Sequence, residues 1–218
     1  ILTLTKTAIL TPMRTLMRNN SNMTRRKFAA LTATAVAMTG AAPAMAFTSE
    51  DASELVGRLV AEINTIINSG RSESRMYSEF SNVLDRYADM PILAQSVLGP
   101  EWRSASSSQR RAFVQAFQGY LARKYGSSFR EFQGAEIEVQ GTRAIRNFYE
   151  VRSTAILRGR APLEVVFLVS DASGQNRFFN LVFEGVNLRS TESQEIGSML
   201  DRRGGDLDAL IAHLRTLG

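Results

Sequence analysis

PLEVVFLVSDASGQNRFFNLVFEGVNL, residues 162–188, decides the fold. Two segments rich in β-branched and aromatic residues, 163–169 and 178–188, flank Asp171-Ala172-Ser173-Gly174, which carries turn chemistry, so the stretch reads as a β-hairpin. A strand with one wet face alternates apolar and polar side chains. Here Leu163, Val165, Phe167 and Val169 share one face, yet Val166 and Leu168 fall on the other. In the second strand Phe178, Val182, Val186 and Leu188 oppose Phe179, Leu181 and Phe183. Both faces of the sheet therefore need apolar cover. Helices can supply it on one face, and a bound apolar ligand is one way to supply it on the other.

Upstream of the hairpin, residues 135–139 and 148–157 read as two more strands. In the second of these, Tyr149, Val151, Ala155 and Leu157 oppose Phe148, Glu150, Arg152 and Thr154, the pattern of a more exposed strand. Everything before 135 has helical period. Residues 49–67 place Leu55, Val56, Leu59, Val60, Ile63, Ile66 and Ile67 on one stripe behind a Thr48 or Ser49 cap. Further helices are expected at 74–87 and 92–98, and Ser106-Ser107-Ser108-Gln109 opens another as a capping box. Gly126-Ser127-Ser128 should interrupt that helix before Phe129 and Phe132. Two closing helices are expected near 191–203 and after an Asp206 cap. Helices, about four antiparallel strands, then helices make a segregated α+β domain, with helices packed on a twisted sheet. Eight aromatics on adjacent helices (Phe80, Tyr87, Phe113, Phe117, Tyr120, Tyr125, Phe129 and Phe132) face a sheet that is already apolar. That is more apolar surface than one compact layer needs, and it suggests an enclosed apolar pocket.

The amino-terminal residues read differently. Arg25-Arg26-Lys27, the weakly apolar run 29–38, Pro43 and Ala44-Met45-Ala46 form a basic region, a short apolar region and a small-residue cleavage site. Residues 1–46 are thus expected to be a signal peptide with an upstream extension, cleaved after Ala46. The paired arginines suggest the twin-arginine route, with the general secretory route as the alternative. Residues 47–218 are expected to form the single folded domain. Of the 26 Lys and Arg, six precede Phe47 and none of the 21 Asp and Glu do, leaving 20 basic against 21 acidic residues in the domain. The net charge of +5 belongs to the leader, so no nucleic-acid partner follows from it.

Little reactive chemistry is available. The chain has no cysteine and one histidine, His213, which reads as a partly exposed surface residue. No thiolate metal site, iron–sulfur cluster or cysteine nucleophile can be built, and no second histidine is there to join a metal cluster. No G-x-S-x-G is present. Asp201, Asp206 and Asp208 read as helix-terminus residues. Arg110-Arg111 and Arg123-Lys124 read as solvated helix faces, with Arg143 and Arg146 in a turn. No catalytic residue, metal or cofactor is indicated.

Several motifs resemble one family. Asp89-Met90-Pro91 leading to Leu98-Gly99 and Trp102-Arg103, then Ser106-x-x-Gln109-Arg110-x-x-Phe113, is similar to the "D-(F/M)…vLG-x-W+…S-x-x-Q+-x-x-F" segment of the MlaC family. Phe183-Glu184-Gly185-Val186-Asn187-Leu188 resembles that family's "I-E-G-V-S-L", and Gly205 to Leu214 resembles its closing "G-x-x-x-L-I-x-x-L". Where the family has a tryptophan early in the last strand and an aspartate shortly after, this chain has Phe178, Phe179 and Asn180, and the family serine is Asn187. The family is also called toluene-tolerance or auxiliary ABC-transport proteins. The resemblance implies a non-enzymatic periplasmic phospholipid carrier serving outer-membrane lipid asymmetry. It implies exchange between an outer-membrane lipoprotein complex and an inner-membrane ABC transporter complex with MCE-domain proteins. With tails held inside, the expected lipid-binding residues are Leu93, Val97, Phe117, Tyr120, Val151, Val166, Leu168, Val182 and Phe183. Two other readings stay open: a ligand-free envelope adaptor, and a small-molecule enzyme of the nuclear-transport-factor-2-like type. For the latter, Glu150, Asp171 and Glu184 are the carboxylates near strands.

Overall fold

The computed structural model describes residues 47–217. The expected leader lies outside them. Helix α1 (Ser49–Ile67) starts at a Thr48 capping box, in which the Asp51 amide donates to Thr48 Oγ1 at 3.2 Å and Asp51 Oδ2 accepts from the Thr48 amide at 3.0 Å. Then come α2 (Glu73–Tyr87), α3 (Met90–Leu98), the short α4 (Glu101–Ser104) and α5 (Ser107–Gly126). The Ser106–Gln109 capping box opens α5, and a 3₁₀ segment (Ser127–Phe132) follows it where the Gly-Ser-Ser run predicts an interruption. Five strands then run β1 (Glu136–Ile145), β2 (Phe148–Ile156), β3 (Leu163–Ser170), β4 (Arg177–Phe183) and the two-residue β5 (Val186–Asn187). Helices α6 (Leu188–Asp201) and α7 (Leu207–Leu214) close the fold. No helix among the described residues is long and apolar enough to cross a membrane.

The sheet is an antiparallel meander in sequence order. Register sets its two faces. Ile137, Ala155 and Leu163 align across the strands, as do Ser153, Val165 and Phe183, and Val151, Phe167 and Leu181. These rows face the helices. Helix α1 packs on β1, β2 and β3, α6 on β4 and β5, and α5 fills the helical layer between α2, α3 and α7. Asn64 of α1 and Asn68, the residue that caps its end, also cover the edge of β1. Asn64 exchanges hydrogen bonds with the amide and carbonyl of Ile137 at 3.2 and 3.3 Å, and Asn68 accepts from the Gly134 amide at 2.9 Å. An open strand edge is a template for unwanted pairing, and these side chains occupy part of it.

The strands depart from the sequence reading in three places. Strand β1 runs ten residues, not five, because a bulge between Val139 and Gly141 breaks its alternation. Arg143 is consequently a strand residue, donating to Glu150 opposite, and not part of a turn. The last strand stops at Phe183 instead of running on to 188. Glu184 (φ 48°) and Gly185 (φ 76°) both take left-handed backbone, which turns the chain out of β4. Helix α6 therefore starts at Leu188, three residues earlier than its polar sequence indicates.

Two asparagines hold that start. Asn187 Oδ1 accepts from the Ser190 amide at 3.2 Å as the helix cap. The buried Asn180 of β4 donates to Asn187 Oδ1 at 3.1 Å and accepts from the Arg189 amide at 3.2 Å. Two of the positions that differ from the family pattern, Asn180 and Asn187, are thus partners in one network. Asn180→Ala removes both bonds from a buried site, and we expect it to lower unfolding free energy by about 1–2 kcal/mol. Asn180→Asp keeps an acceptor for the Arg189 amide and should lose less. Urea denaturation of both variants measures the order.

Candidate functional site

Between the helical layer and the inner face of the sheet lies a cavity of about 580 Å³, within the roughly 300–1,000 Å³ usual for ligand pockets. Its deep walls are buried apolar side chains: Leu59 and Ile67 of α1, Leu84 of α2, Leu93 and Val97 of α3, and Phe117 and Leu121 of α5. Val165, Phe167 and Phe178 form the sheet side, with Ala155 beside them. The bulge between Leu168 and Val169 lets Phe178 join the inner face, 5.8 Å edge-to-face from Phe167. Toward one end the lining becomes exposed: Glu131 in the 3₁₀ segment, and Val186 of β5 at 58 % exposure. Half-buried Ser128, Phe132, Leu188 and Arg189 accompany them, and this end is the mouth.

The nine expected residues divide. Leu93, Val97, Phe117 and Phe183 line the cavity. Val166, Leu168 and Val182 do not. Strand side chains alternate with a period of two, so the residues one position along, Val165, Phe167, Leu181 and Phe183, take the cavity side. The outer face instead carries Val166 in register with Arg152 and Val182, and Phe148 against Phe179 at 5.6 Å. The apolar space is thus enclosed on the helical side of the sheet, not on its second face. Val151 is fully buried on the inner face beside Phe167, but it is core and not wall. Tyr120 turns from the cavity toward Lys124, whose Nζ donates to its hydroxyl at 2.9 Å. The wall residues of α1 were missed because its stripe read as ordinary core. On the sheet side β3 gave no signal, because Val166 and Leu168 make its outer face apolar as well.

One charged network adjoins the cavity. The Glu192 side chain is 2 % exposed. Its Oε1 accepts from Lys124 Nζ at 2.8 Å and from the Tyr125 hydroxyl, while its Oε2 has no partner among the described residues. Lys124 also pairs with Glu195. Burial pulls the Lys124 pKa down, but Glu192 and Glu195 outweigh it and the net shift is upward. Burial likewise pushes Glu195 up, and the Lys124 ammonium more than reverses it. Burial, joined by the nearby carboxylates, raises both Tyr120 and Tyr125. Other basic residues read as solvated are also engaged. Arg123 donates to the Leu214 and Leu217 carbonyls at the end of α7, and Arg110 lies 5.5 Å over the Trp102 ring while donating to the Trp102 carbonyl at 2.9 Å. Among the described residues no group of three His, Asp or Glu could hold a metal ion.

The fold resembles the solved phospholipid-binding protein from Ralstonia solanacearum in complex with a phospholipid, with a TM-score of 0.64 and 20 % identity over 75 % of this chain and 98 % of that one. The intermembrane phospholipid transport system binding protein MlaC of Haemophilus influenzae is 24 % identical over 139 residues, 62 % of this chain. The match spans 64 % of the length of that relative. The family model described as MlaC protein matches residues 57–216, from within α1 through the sheet to the end of α7, and on that match this chain belongs to the MlaC family.

Proposed function

We propose that residues 47–218 form a periplasmic phospholipid carrier, exported by a leader in 1–46, that holds acyl tails in the cavity and leaves the headgroup at its mouth. The observation that carries this reading is the apolar cavity itself, enclosed by α1, α2, α3, α5 and the inner sheet and open beside Val186 and Glu131. The named relatives support it, one by its transport-system name and one by the phospholipid in its structure. Each methylene kept from water is worth about 0.8 kcal/mol, so diacyl lipid does not cross an aqueous space bare. Moving tails from a bilayer into this cavity exchanges one apolar medium for another and is nearly neutral. Direction then comes from partners that bind loaded and empty carrier differently. The proposed partners are an outer-membrane lipoprotein complex and an inner-membrane ABC transporter complex with MCE-domain proteins.

Mass spectrometry of organic extracts from the purified chain tests the reading. Phospholipid near one molecule per chain is expected. A chain that carries none, and takes none from vesicles after purification, overturns it.

A further inference from the structure

Most polar groups on the cavity wall already have partners. Asn180 holds Asn187 and the Arg189 amide, Thr191 donates to the Asn187 carbonyl, and the Tyr125 hydroxyl and Glu192 bind each other. The Arg189 guanidinium is different. It is half-buried at the mouth and has no carboxylate or carbonyl partner among the described residues. The nearest candidate on its own helix face is Glu192, three residues on, where helix side chains meet. Lys124 and Tyr125 hold its Oε1 from α5, and its buried Oε2 makes no hydrogen bond to Arg189. The end of α6 offers no substitute anion site, since the Arg189 and Ser190 amides are taken by Asn180 and Asn187.

We infer that Arg189 binds the phosphodiester of the carried lipid. The inference rests on the carrier reading and adds to it the contact that recognises the head. A phosphodiester cannot follow the tails into apolar surroundings without losing its hydration, so it stays at the mouth, where Arg189 is anchored. A guanidinium presents paired N–H donors that match two phosphate oxygens at once, which an ammonium does not. The ligand class is accordingly a diacyl lipid with a phosphodiester head, discriminated from diacylglycerol with the same tails.

The test compares wild type, Arg189→Ala and Arg189→Lys after lipid removal, by displacement of a fluorescent lipid with a short-chain phosphatidylcholine, the matching diacylglycerol, and inorganic phosphate. Arg189→Ala keeps the backbone amide that Asn180 holds, so the helix start is preserved. Wild type should bind the phospholipid about tenfold more tightly than the diacylglycerol, as one charge-assisted contact allows. Arg189→Ala should erase that preference by weakening only the phospholipid, and Arg189→Lys should fall between. Equal binding of both lipids by wild type, unchanged in Arg189→Ala, overturns the role of Arg189 while the carrier reading stands. Failure of wild type to bind either lipid removes the carrier reading and this inference together. Displacement by millimolar inorganic phosphate would assign Arg189 to free phosphate and overturn its role at a lipid head.

Discussion

Val165→Trp and Leu181→Trp are expected to reduce co-extracted phospholipid to below about a fifth of the wild-type amount, since a buried indole occupies 150–250 Å² of contact surface that tails would otherwise use. Both side chains face the cavity from adjacent strands, Val165 beside Phe183 and Leu181 beside Phe167. Adding bulk to a packed core forces strained rotamers, but here the added ring enters open space, so the fold should survive. The internal control is one residue away. Leu168→Trp puts the same ring on the outer face, where register sets Leu168 opposite Glu150 and beside Val166, and should leave lipid content unchanged. Lipid per chain by phosphate assay and thermal melting of each variant decide it. Val165→Trp and Leu181→Trp proteins that melt like wild type and still carry a full lipid complement would show that the tails lie elsewhere.

The contrast between Val165 and Val166 shows how far sequence reading reaches. Helix α1, the α5 capping box, the break at Gly126 and the hairpin were legible because local periodicity and cap chemistry act over a few residues. The apolar character of both sheet faces was legible too. Which face looked into an enclosed space was not, because alternation assigns residues to two faces without labelling either. That label comes from α1 lying across β1 to β3, a tertiary fact. Likewise Lys124 reads as a solvated helix residue in sequence. Only the approach of α6 brings Glu192 and Glu195, remote in the chain, against it. The pairing of Asn180 with Asn187 was hidden although they lie close in the chain, because their bond depends on the left-handed turn at Glu184 and Gly185. The mouth is built from such contacts, and so it was the least legible part of the site.

Lys124→Met is expected to cost about 3–5 kcal/mol of unfolding free energy, because removing one partner of a buried ion pair strands the other charge. The stranded group is Glu192, at 2 % side-chain exposure, with one oxygen already lacking a partner. Lys124 also lies 5.2 Å over the Tyr120 ring and 5.5 Å over the Tyr125 ring, so the loss includes those contacts. A second substitution identifies the cause. Glu192→Leu added to Lys124→Met removes the stranded charge and should recover most of the stability, since buried ion pairs are commonly replaceable by apolar groups of similar volume. Urea midpoints for the two single variants and the double provide the cycle; a double variant no more stable than Lys124→Met would mean that packing, and not an unpaired carboxylate, accounts for the loss. Titration gives an independent check of sign. Glu195 is held below its ordinary 4.5, so its contribution is present above that value and lost as pH falls through its depressed one. Lys124 is held above its ordinary 10.5, so its contribution is complete below that value and lost as pH rises through the raised one. Wild type should therefore lose stability at both extremes relative to the double variant, and the gap between them should be widest on the plateau between those two values.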